Sequence, residues 1–112
     1  MTPRVRKNKY GRGLYARQAY ARGDLIETSP VVLVARAQVP SEGRLTHYVF
    51  EWDRKHYALA LGFGSLFNHD LTPNAYFRLD KKRDVIVFKA LRPILRGEQL
   101  FVDYGYEPSA YL

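Results

Sequence analysis

A mostly β domain carrying one short helical insert is what the amino-acid sequence predicts, and three observations carry that prediction. Glycine and proline recur at short intervals, from Gly11, Gly13 and Gly23 through Pro30, Pro40, Gly43, Gly62, Gly64 and Pro73 to Pro93, Gly97, Gly105 and Pro108. Such density suits short strands and cuts off long helices. β-Branched and aromatic residues fill the gaps, with nine Tyr and six Phe in the chain, as strands prefer. Finally, 112 residues is the usual size of one hydrophobic core, so residues 1–112 are expected to form a single domain.

The elements follow in order. Gly11-Arg12-Gly13 reads as a turn leading into a strand at 14–16, and a long apolar stretch at 25–34 reads as the next strand. Residues 41–55 form the expected helical insert, because Ser41 can cap it and Leu45, Tyr48, Val49 and Trp52 recur at three-to-four spacing. Strands follow at 57–61 and 76–79. The polar run Asp80 to Arg83 then separates that strand from Asp84-Val85-Ile86-Val87-Phe88, which reads as the second arm of a hairpin begun at Ala75. A last strand occupies 99–102. No internal repeat is present.

Composition narrows the function. The apolar fraction of 46% excludes a disordered chain. With no Cys, neither a disulfide framework nor a thiolate metal site can form. The basic N-terminus MTPRVRKNKYGRG lacks the apolar segment of a signal peptide, and no run reaches the ~18 apolar residues of a membrane helix. A soluble intracellular protein without a membrane partner is expected, in the cytoplasm or in a nucleus. The formal charge of +7 and pI near 9.8 suit an acidic surface or a nucleic acid as partner, and equally serve solubility.

Two polar stretches interrupt the apolar pattern: GFGSLFNHDLTPNAYF at 62–77 and GEQLFVDYGYE at 97–107. His69 beside Asp70 suggests metal ligands, but His47 and His56 lie far off without the i, i+4 spacing of a helical pair, so no metal is expected. No Ser sits in a nucleophile elbow. Asn68 and His69 carry planar donors and acceptors suited to a purine edge, and equally to backbone groups of an irregular segment. The two glycines around Arg12 let backbone approach a ligand closely, or simply turn. Tyr104, between Asp103 and Gly105, reads alone as a half-buried strand residue.

Taken together, GRG, FNHDLTPN and GEQLFVDYG resemble the motifs of the SET domain, the protein-lysine methyltransferase family. Its central motif reads Asn-His-x-Cys-x-Pro-Asn, matched by Asn68, His69, Pro73 and Asn74. Its last reads Gly-Glu-Glu-Leu-x-x-Asp-Tyr-Gly, matched by Gly97, Glu98, Leu100, Asp103, Tyr104 and Gly105. The resemblance spans Tyr10 to Tyr106. It implies the SET-domain (β-clip) fold, short strands in small sheets whose two polar segments cross in a pseudoknot, and methyl transfer from S-adenosyl-L-methionine to a protein lysine. It further implies a cofactor pocket of Gly11, Arg12, Gly13, Tyr48, Asn68 and His69, a catalytic Tyr104, and a substrate channel of Tyr48, Val102 and Tyr106.

The chain departs from the pattern at several places. Leu71 replaces the Cys, Ser65 stands where many members carry Arg, and Arg12 replaces an aromatic. No cysteine-rich segment follows Tyr104, so Tyr106 and Tyr111, or the second subunit of a homodimer, would cap the site. Val102, where the family often has Phe or Tyr, is expected to leave room for more than one methyl group. The implied partner is a protein that presents a lysine, a histone or another basic protein. The competing reading is a small basic nucleic-acid-binding or non-catalytic interaction domain on a SET scaffold.

Overall fold

Alternation of buried and exposed side chains along short strands builds two sheets. The computed structural model describes residues 2–9 and 11–105. Its chain opens with a hairpin of β1 (Arg4–Asn8) and β2 (Gly11–Tyr15), antiparallel, with Arg4 opposite Tyr15 and Asn8 opposite Gly11. Gly11 takes φ +124°, a conformation that side chains avoid, and so turns the hairpin. The long β3 (Leu25–Ala35) pairs at one end with β8 (Val85–Ala90) and at the other with β5 (His56–Ala60). The short β4 (Val49–Glu51) and β7 (Ala75–Asp80) complete a five-stranded sheet in the order β4-β5-β3-β8-β7. The second sheet, β1-β2-β9-β6, uses β6 (Asn68–His69) and β9 (Gln99–Val102).

The expected hairpin at 75–90 forms, with Phe77 opposite Phe88 and Leu79 opposite Ile86 on the buried face. Phe50 lies fully buried against it, its ring edge-on to Phe77 at 5.0 Å and to Phe88 at 5.8 Å, while Phe67 stacks on Phe88 at 4.4 Å. Each such ring contributes about 1.5–3 kcal/mol by burial, and this aromatic cluster forms the floor beneath the candidate site.

The helical insert expected over 41–55 is not an α-helix. A single 3-10 turn at Arg44–His47 is followed directly by β4. Gly43, not Ser41, precedes the turn, and no side chain caps it. Burial explains the outcome: Phe50 and Trp52 are both enclosed and lie two residues apart, the period of a strand. Pairing with β5 satisfies this backbone where a helix would have faced Phe50 outward.

The segment 62–66 is pinned by two side chains of β3 and by its own Ser65 against β5. The N–H of Phe63 donates to Glu27 Oε2, the N–H of Gly64 to Ser29 Oγ, and the N–H of Ala60 to Ser65 Oγ. A Cβ on Gly64 would sit 2.5 Å from Ser29 Oγ, 2.7 Å from Ala60 Cβ and 2.8 Å from Phe88 Cε2, so only glycine fits. The chain then enters β6, which runs parallel to β9, with Asn68 opposite Phe101 and His69 opposite Val102. β9 is antiparallel to β2 on its other side, so the two polar segments cross beside the opening hairpin. No described helix is long and apolar enough to cross a membrane.

Candidate active site

A buried amide holds the crossing in place. Asn74 is 2% exposed; its Nδ2 donates to the Gln99 carbonyl at 2.8 Å, and its Oδ1 accepts from the Phe101 N–H at 2.9 Å. One side chain thereby takes the place of a neighbouring strand along β9. Asn68 ties the other edge, donating from Nδ2 to the Arg12 carbonyl at 2.8 Å. The glycine at 13 permits this approach, because a Cβ there would lie 2.3 Å from Gln99 Nε2 and 3.2 Å from Asn68 Nδ2.

Between the hairpin and the 3-10 turn lies a cavity of about 290 Å³, near the lower bound of small-molecule sites. Gly11, Arg12, Gly13 and Val5 form one wall, and Arg44, His47 and Tyr48 form the wall opposite. Ser65, Leu66, Phe67 and Asn68 make its base. Five of the six residues expected for the cofactor are thus brought together: Gly11, Arg12, Gly13, Tyr48 and Asn68. His69, the sixth, does not line this cavity. Its Nδ1 accepts the Tyr104 N–H at 3.2 Å, which puts the proton of a neutral ring on Nε2. Asp103 Oδ1 lies 3.8 Å from the same nitrogen and accepts the Gly105 N–H at 2.9 Å. His69 and Asp103 therefore shape the turn that carries Tyr104.

Tyr104 points inward. Its hydroxyl donates to the carbonyl of Phe67, a residue of the cavity base, and its ring lies 4.7 Å from Phe50. Burial raises the phenol pKa well above its ordinary value near 10, and the neighbouring Tyr48 phenol raises it further. Tyr104 is therefore a neutral hydroxyl at any physiological pH. It can orient a group by hydrogen bonding, and it cannot serve as a base.

Val102, expected in the channel wall, is fully enclosed in the core cluster and does not line the cavity beside the opening hairpin. Its side chain is buried in the cluster that holds Leu14 and Leu100. Tyr106 lies outside the described residues. Sequence reasoning missed Arg44, His47, Leu66 and Phe67. The signal for the first two lay in the insert, whose turn faces the hairpin, and Phe67 acts through a backbone carbonyl that no side-chain motif announces.

The donor set suits an amino-acid-bearing nucleoside. Arg12 and Arg44 offer guanidinium forks for a carboxylate, Asn68 keeps a free amide oxygen for an amine or a base edge, and Leu66, Phe67 and Val5 offer apolar contact. A family model described as the SET domain matches residues 11–105. A histone-lysine N-methyltransferase of Schizosaccharomyces pombe, specific for H3 lysine-37, is 36% identical over 98 residues, or 85% of this chain and 67% of that protein. The crystal structure of a Plasmodium falciparum protein assigned as a histone methyltransferase matches with a TM-score of 0.77 at 25% identity, covering 95% of this chain and 99% of that one.

Proposed function

The chain belongs to the SET-domain family, and from that membership we propose a methyl transfer to the side-chain amine of a protein lysine, with S-adenosyl-L-methionine held in the cavity beside the opening hairpin. The observation that carries the assignment of roles is the placement of Tyr104. Its neutral hydroxyl donates to the Phe67 carbonyl at the base of that cavity, next to Tyr48.

When bound, the cofactor supplies an electrophilic methyl group on a sulfonium. The residues of this chain bind and align. Arg12 and Arg44 hold the carboxylate, Gly11 and Gly13 admit the amino-acid portion against bare backbone, and Asn68 meets the nucleoside. With its proton committed to Phe67, the Tyr104 oxygen keeps a lone pair that accepts an N–H of the lysine amine. That contact turns the amine's own lone pair toward the methyl group, and such alignment contributes several kcal/mol through prepaid entropy. The substrate lysine, with a free pKa near 10.4, must arrive neutral. Since Tyr104 cannot take its proton, water does, assisted by the aromatic surroundings of Tyr48 and Tyr104, which disfavour the charged amine.

The substrate class follows the Schizosaccharomyces pombe relative, whose name gives histone H3 as its target. We take a histone, or another basic protein with a lysine on an extended segment, as the substrate. Calorimetry with S-adenosylhomocysteine, together with transfer of labelled methyl to a histone mixture, tests the proposal. Binding with transfer to lysine is expected, and Asn68→Ala should weaken binding about 10-fold, the worth of one hydrogen bond. Absence of cofactor binding by the wild type would remove the proposal, and equal affinity in the variant would remove Asn68 from the site.

A further inference from the structure

The strand alternation that turns Val5 toward the cofactor cavity turns Arg4 and Arg6 to the other face of the hairpin. There they line a second cavity, of about 280 Å³, together with Arg17, Arg96 and Tyr15, and it shares no lining residue with the first. Backbone bonds bring the two later arginines together: the Gly97 N–H donates to the Ala16 carbonyl at 2.8 Å, and the Ala16 N–H to the Glu98 carbonyl at 2.9 Å. The floor is rigid. Tyr15 accepts a hydrogen bond from Asn8 Nδ2, donates to Gln99 Oε1, and carries the Arg6 guanidinium over its ring at 5.4 Å.

Four arginines line this cavity without a counter-ion among the described residues. None lies within 4.0 Å of a carboxylate among the described residues. Glu98, the acid nearest in sequence, is turned away to Arg92 at 3.5 Å and to the Leu95 N–H. Gathering like charges opposes folding unless an anion relieves it, and the planar forks of arginine suit phosphate oxygens. Arg4 and Arg6 stand on one face of an antiparallel strand about 6.8 Å apart.

We propose that this arginine-lined groove binds the phosphate backbone of double-stranded DNA, so that the protein engages its substrate while that substrate sits on DNA. The binding itself is independent of methyl transfer; only its use rests on the function proposed above. The test is anisotropy of a short fluorescent duplex over a range of salt concentrations. It compares wild type, Arg4→Gln/Arg17→Gln/Arg96→Gln, and Lys81→Gln/Lys82→Gln/Arg83→Gln, which removes as many charges from the remote β7–β8 turn. The groove variant should lose about 10-fold or more in affinity, and its salt slope should fall by about 0.9 for each arginine that meets a phosphate. The turn variant should keep both, and all three proteins should bind S-adenosylhomocysteine and methylate a free lysine peptide alike. Equal losses in the two variants would overturn the groove in favour of diffuse charge. Displacement of the duplex by polyglutamate or inorganic phosphate at equal charge concentration would overturn DNA in favour of an acidic protein or a simple anion. Failure of cofactor binding would strike the methyl transfer and leave the anisotropy readout standing.

Discussion

At the scale of single residues, Tyr104 joins the fold to the chemistry. Its raised pKa means that the folded chain keeps a proton that the unfolded chain releases near pH 10. Stability therefore falls as pH rises above 10 and is indifferent to this group below it. The urea midpoint of the wild type should drop more steeply above pH 10 than that of Tyr104→Phe, and parallel curves would place the phenol in solvent. Gly13 offers a second test. In Gly13→Ala the new Cβ displaces the flexible end of Gln99 and crowds Asn68, so stability should fall by only about 1 kcal/mol. Cofactor affinity should fall more, which calorimetry against a urea titration separates. Asn68, the glycines and Arg12 were legible in the sequence because their chemistry is carried by side-chain type or by the absence of one. Where His69 and Val102 lie relative to the cavity was not legible, because it depends on a two-residue parallel pairing between segments some thirty residues apart.

The elements show where local pattern suffices. The strands at 25–34, 57–61, 76–79, 85–90 and 99–102 were readable because each alternates or fills a gap between Gly and Pro, and the structure keeps them within a residue or two. β1 escaped notice: its side chains are exposed and mostly cationic, so it forms by hydrogen bonding to β2 with no apolar signal. The insert failed for another reason, since Leu45, Tyr48, Val49 and Trp52 fit a helix while Phe50 and Trp52 fit a strand, and burial of Phe50 decided it. Two substitutions test the elements that frame the site. Asn74→Ala removes both bonds that hold β9 and leaves a carbonyl and an N–H unpaired, at a cost of about 2–4 kcal/mol. Gly64→Ala drives a Cβ into Ser29, Ala60 and Phe88, which are fixed by the core, and should cost about 1–3 kcal/mol. Denaturant midpoints check both, and a neutral Asn74→Ala would show that β6 and β2 hold β9 without the clamp.

Across the whole molecule, stability and binding are divided between the two sheets. The aromatic cluster of Phe50, Phe67, Phe77 and Phe88 belongs to the five-stranded sheet and its cover, whereas β1 is an exposed edge strand whose strand partner is β2. Hydrogen exchange should be slowest in β3, β7 and β8 and fast in β1, and cofactor should slow the amides of β1 and β2 by closing the hairpin on the cavity. An unchanged pattern would place the cofactor elsewhere. The overall charge and the domain size were plain from composition, but the division of cations between the two faces of one hairpin was not, because it depends on register. The central claim, that this chain aligns a lysine amine through the Tyr104 hydroxyl beside a separately built cofactor cavity, is tested most directly by pairing single-turnover methyl transfer with calorimetric cofactor affinity for wild type and Tyr104→Phe. The account predicts a rate loss of about 100-fold or more with cofactor affinity unchanged, because the lost contact is made at the reacting centre. Methyl transfer at the wild-type rate in the variant would contradict it.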